Sequence, residues 1–216
     1  MKFEDLKNLN NIFLYLGDWH PVGRSESIKR TGKNFIGLSL TRSDRYHIKQ
    51  DITKPVPLKD NTVDIILSED VMEHIEYSKL KDSINEIYRI LKPGGLFRLS
   101  MPDYTCDVLI NRSLLNEKGE VYHDPTCGKW DNINKCVVPG GHVWFPNYKK
   151  VKKLLESTRF ENGKIKYLHY YDNDNNNKPV THKIDYSKGH IHRTPDTDQR
   201  VQNPYRPMSI VVDCYK

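Results

Sequence analysis

The chain has 216 residues, 37% of them hydrophobic, and a net charge of +6 from 34 Lys and Arg against 28 Asp and Glu. That is room for one full core and cramped for two. No apolar run reaches the roughly 18 to 20 residues that a bilayer crossing requires, and Met1-Lys2-Phe3-Glu4-Asp5 has no signal-type apolar stretch, so the reading is a cytoplasmic protein with no membrane partner. The positive excess is scattered among Asn and Asp without a block of Lys and Arg interleaved with aromatics, which disfavours a nucleic-acid groove. Cys106, Cys127, Cys136 and Cys214 show neither CxxC spacing nor the density of a secreted scaffold and read as reduced thiols.

Short apolar runs alternate with helical periods through the first half, the pattern of a parallel sheet flanked by helices. Strands are predicted at 12–16, 34–40, 46–52 and 63–68, the last β-branched and buried in character. Leu80, Ile84, Ile87, Tyr88 and Leu91 recur at spacings of three and four, predicting an amphipathic helix over 78–91 with Ser78 as N-cap. Lys92-Pro93-Gly94-Gly95 stops it, because proline cannot continue the ladder and glycine accepts positive φ, and a strand follows at 96–101. Residues 104–141 have no sustained period and read as an insertion, with a helix near 107–116. A helix from Asn147 to about Ser157 carries Val151, Leu154 and Leu155 on one face, and strands follow at 165–171 and 208–215. Between them the polar, Asn-rich and Pro-punctuated stretch 172–207 is long enough to suggest a functional loop, read as a substrate lid. The whole chain, 1–216, is read as a single domain.

The most specific signal runs from Asp51 to Asp103: Asp51-Ile52, then Pro57 to Ile66, then Val71-Met72-Glu73-His74-Ile75, then Arg89-Ile90-Leu91-Lys92-Pro93-Gly94-Gly95. This block resembles the central half of S-adenosylmethionine (SAM)-dependent methyltransferases of the type-11 group. The resemblance implies an α/β, Rossmann-like class I fold, a mostly parallel sheet with one antiparallel C-terminal strand, and SAM as cofactor. In such a sheet a ligand sits beyond the carboxyl ends of the strands. The cofactor-binding residues implied there are Gly17 and Asp18, Ser39, Asp51 and Ile52, and Ser68, Glu69 and Asp70. Asp51 can accept from an adenine amino group, and the backbone of Ile52 can read the ring edge.

The flanking motifs are worn. Trp19 stands where the second glycine of the turn belongs, and Ser39 stands where an acidic residue would bind the ribose, with Asp44 as a possible substitute. Glu73 and His74 open a short helix near the methyl group and read mainly as capping and orienting residues. For chemistry, Gly140-Gly141-His142 before the helix at Asn147 makes His142 the predicted general base, with Asp103 at the end of the fifth strand orienting its imidazole or holding the acceptor. His182, His190, His192, Asp196 and Asp198 could hold a divalent metal, but their spacing matches no closed site and metal is not favoured. The expected function is O-methylation of a small hydroxylated acceptor, a sugar hydroxyl of a glycan in the first instance. N-methylation of a small molecule and a catalytically silent binding module are the alternatives.

Overall fold

The structure, a computed structural model, describes residues 1–19 and 21–216. An eight-stranded sheet runs through it in the order β11-β10-β12-β5-β4-β1-β2-β3. Its strands are β1 (Phe13–Leu16), β2 (Ile36–Ser39), β3 (His47–Lys49), β4 (Val63–Glu69), β5 (Leu91–Pro102), β10 (Lys164–Asp172), β11 (Lys178–Thr181) and β12 (Ser209–Tyr215). Strands β3 through β5 are parallel, and β12 lies antiparallel between β5 and β10. The order reverses at β1 and β4, the switch point that opens a crevice beyond the strand ends.

Helix α1 (Pro21–Thr31) follows β1, α2 (Tyr77–Ile90) joins β4 to β5, and α4 (Tyr148–Glu156) precedes β10. Strand alternation sends Ile66, Phe97, Leu99, Ile210 and Val212 to one face, where they pack with Leu80, Ile84, Ile87, Val151, Leu154 and Leu155 of α2 and α4. On the opposite face Phe35, Ile65, Leu67 and Leu96 pack with Trp19, and Val211 packs with Ile184 and Ile191. No helix among the described residues is long and apolar enough to cross a membrane.

Several local expectations shift. Helix α2 begins at Tyr77 after Glu76, with no side-chain cap, so Ser78 is not its N-cap. Asn147 does cap α4, its side chain accepting from the Lys150 amide at 3.0 Å. The helix expected near 107–116 is the single turn α3 (Asp107–Ile110). After it the insertion closes on two small hairpins, β6 (Leu114–Leu115) with β7 (Val121–His123) and β8 (Trp130–Asp131) with β9 (Cys136–Val137). The edge strand β11, paired antiparallel with β10, lies inside the stretch read as loop.

Beyond β11 the chain is packed rather than loose, because Ile184, His190, Ile191, Thr194 and Val201 are buried. A fully buried Arg98 on β5 fixes it: its guanidinium grips Asp213 of β12 through two bonds of 2.7 and 2.8 Å and donates to the carbonyls of Asp185 and Gly189. Residues 182–194 therefore cover the sheet face opposite α2 and α4.

Candidate active site

At the carboxyl ends of β1, β3 and β4 lies a cleft of about 710 Å³. Gly17, Asp18, Asp51, Ile52, Glu69 and Asp70 of the expected set line it, with Leu38, Leu40 and Val71 as apolar wall. Gly17 has φ +103°, and a Cβ there would come within 3.2 Å of Val71 Cγ2, so the turn needs glycine on both counts. Trp19 does not obstruct the turn. Its indole is buried in the opposite face, stacked on Phe35 at 5.9 Å and edge-on to Tyr15, while its amide donates to His47 Nε2 at 3.0 Å.

Asp51 Oδ1 accepts from the amide and hydroxyl of Thr53 at 2.9 and 2.7 Å, leaving Oδ2 to a ligand. Burial opposes its charge, but the two Thr53 donors outweigh it and hold the carboxyl below its ordinary value. Ser39 and Ser68, expected in the set, do not line the cleft. Ser39 is buried with Oγ accepting from the amides of Thr41 and Arg42, and Ser68 is buried on the α2 side of β4. Nor does Asp44 substitute for the ribose acid, since it is spent on the amides of Tyr46 and His47 and on His47 Nδ1. Asp18, held only loosely by Arg42 at 3.6 Å, is the acidic side chain left on that side of the cleft.

Carboxylates crowd the end of β4. Glu69 Oε1 accepts from the amides of His192 and Arg193 at 2.7 and 3.0 Å, which ties the 182–194 segment to the strand end. Burial, with Asp70 adding to it, pushes the Glu69 carboxyl up to about 7 against the pull of those amides. Asp70, in the left-handed region at φ 55°, pairs with Arg193 Nε at 2.9 Å, yet burial still raises its carboxyl. Glu73 is wholly buried, neither oxygen finds a hydrogen-bond partner, and burial lifts its carboxyl well above the usual range.

The expected His142 and Asp103 pair does not form. Asp103 is fully buried and accepts from the amides of Thr105 and Tyr171 at 3.0 and 3.1 Å, so it ties the end of β5 to β10. His142 is oriented instead by Tyr104, whose hydroxyl lies 2.6 Å from Nδ1 and 2.9 Å from Asp124 Oδ2. Its Nε2 faces Glu73 Oε1 at 3.6 Å. Burial and the neighbouring His74 press the imidazole down to about 3. His142 lines a second cavity of about 490 Å³, bounded by Thr126 to Lys129 and Val138 to Gly141, which meets the first cleft at His74, Pro139 and Gly140. Tyr104 and Asp124 carry no local sequence signal, because they are apart in the chain and meet only when the insertion folds back.

The residues of the expected lid do not line the cleft; His192 and Arg193 instead bond Glu69 and Asp70, which do. His190 and His192 lie edge-on at 4.4 Å, and the carboxylate beside them is Glu26 of α1 rather than Asp196 or Asp198. Asp196 takes the hydroxyls of Tyr186 and Tyr205, and Asp198 is paired with Arg200.

A parallel sheet reversing at β1 and β4, an antiparallel β12 inserted beside β5, and a cleft over the switch point define a class I methyltransferase-type fold. Residues 27–99 match the type-11 family model described as "Methyltransferase domain". An uncharacterised protein of Methanocaldococcus jannaschii is 34% identical over 123 residues, which cover 54% of this chain and 52% of that protein. The chain thus spans about half the length of the curated relative it matches. Among solved structures, a SAM-dependent methyltransferase from Archaeoglobus fulgidus superposes with a TM-score of 0.55 at 16% identity, covering 96% of this chain and 87% of that one. One from Mesorhizobium loti gives 0.51 at 13% identity, covering 99% and 97%. These likenesses speak for the fold.

Proposed function

We propose that the chain is an enzyme that binds SAM in the cleft and transfers its methyl group to a small acceptor. The observation that carries this reading is the cleft itself: Gly17 at positive φ, the Asp51 carboxylate with a free oxygen, and Ile52 with Leu38 and Leu40 as an apolar wall for a base. Calorimetry with SAM and its demethylated product tests it. Saturable binding is expected, and Asp51→Ala should weaken it by about 1 to 3 kcal/mol by leaving an adenine donor unmet. Absence of heat with either ligand would make the chain a silent module.

The finer reading is O-methylation of a small hydroxylated acceptor, a sugar hydroxyl of a glycan, seated where the second cavity meets the cleft with its reacting hydroxyl turned into the cleft. An in-line attack by the hydroxyl oxygen on the sulfonium methyl forms the new C–O bond, breaks the C–S bond and releases a proton. Of the groups named for that proton, His142 stands outside the cleft, with one nitrogen on Tyr104 and the other turned to Glu73, and Asp103 is committed to two amides. Glu69 lines the cleft with Oε2 left over from its two amide bonds, and it takes the role of base, while His142 lines the acceptor cavity. Cytoplasmic residence is part of the same reading, and four cysteines without disulfide partners support it.

A further inference from the structure

Glu73 offers two buried oxygens with no partner, a costly arrangement that native folds rarely leave unexplained. Two imidazoles meet it. His74 follows it on the 3₁₀ turn Met72–His74, and His142 arrives from the end of the insertion, so that one ligand atom from each of the three lies within 4.8 Å of the others. Both rings are fixed in the form that leaves Nε2 with a lone pair. His74 Nδ1 lies 3.1 Å from the Gly141 carbonyl, which can only accept, so its proton is on Nδ1. The Tyr104 hydroxyl donates its single proton to the Asp124 carboxylate and must accept from His142 Nδ1–H. Such outer hydrogen bonds are how proteins set metal-binding imidazoles.

The geometry points to a divalent transition-metal site formed by Glu73, His74 and His142, with Zn²⁺ as the best match. Two imidazoles and one carboxylate suit zinc, and bonds of about 2.0 to 2.2 Å place ligand atoms roughly 3.3 Å apart, close to the 3.6 Å between His142 Nε2 and Glu73 Oε1. The backbone is already stitched there: the Val143 amide donates to the Glu73 carbonyl and the Trp144 indole to the Met72 carbonyl, both at 2.9 Å. Glu73 and His142 are buried while His74 is exposed, so a fourth position opens to the second cavity, where water or an acceptor oxygen can take it. The site stands independently of SAM binding.

The test uses tag-free protein stripped with chelator and titrated with Zn²⁺ by calorimetry, with Co²⁺ absorption as a geometric readout. One equivalent at micromolar affinity or tighter is expected, with visible bands of a low-coordinate Co²⁺ centre. Glu73→Gln and His74→Ala, checked for folding by circular dichroism, should each weaken binding at least tenfold. Tyr104→Phe should weaken it about 10- to 100-fold by releasing the His142 ring. The double variant His190→Ala, His192→Ala should retain the equivalent. Failure of Zn²⁺ to bind, or an equivalent that survives Glu73→Gln and His74→Ala at unchanged affinity, overturns the proposal. SAM calorimetry on the same sample reads the cleft separately.

Discussion

Glu69 concentrates the residue-scale physics of the site. Its carboxyl is buried against Asp70, and burial pushes it from 4.5 up to about 7. The folded state therefore holds this proton more tightly than the unfolded chain. The stability it contributes is full below about pH 4.5 and is lost as pH rises through about 7. Glu69→Gln stays neutral and can still accept both amides, so the stability of the wild type relative to it should fall between those values, by up to a few kcal/mol. Urea titrations across pH measure this, and a difference independent of pH would refute it. If Glu69 is the base, wild-type turnover rises with pH through about 7, and Glu69→Gln loses about 100- to 10,000-fold and that limb of the profile, while SAM binding persists. A variant with wild-type turnover and profile would return the proton to another group.

At the scale of elements, the 182–194 segment stands where a helix would normally cover a parallel sheet, and it is held by a buried guanidinium as well as by Ile184 and Ile191 on Val211. Arg98 and Asp213 face each other across β5 and β12, and the two carbonyls from the segment complete the guanidinium's bonds. Removing one partner leaves a buried uncompensated charge. Arg98→Met should cost about 3 to 5 kcal/mol in urea unfolding and raise amide exchange in residues 184–194. Adding Asp213→Leu should recover part of the loss, because two apolar groups replace a broken pair. Exchange unchanged in that segment would show that Ile184 and Ile191 alone secure it.

Over the whole molecule, the cleft joins the ends of β1, β3 and β4 with Pro139, Gly140 and Val143, so a ligand bound there links parts of the chain far apart in sequence. Binding to the folded state alone should stabilise it by about 2.7 kcal/mol at a hundredfold excess over Kd. For a domain of this size that is a rise in Tm of roughly 5 to 11 °C, readable by thermal shift with SAM or its demethylated product. An unmoved Tm at millimolar ligand would contradict the proposed cofactor. Periodicity alone determined the sheet strands of the first half, α2, α4 and β12, because apolar spacing follows the helix and strand repeats wherever one face is buried. The motif block located Asp51 and the end of β4, since contacts within a turn are local in sequence. What only the tertiary structure decided was long-range. Trp19 turns its indole into the far face, Asp103 binds Tyr171, Arg98 captures a segment read as a lid, and Tyr104, Asp124, His142 and Glu73 converge from four separate stretches of the chain. Buried polar groups take whichever partner the fold brings within bonding distance, and no spacing along the chain encodes that choice.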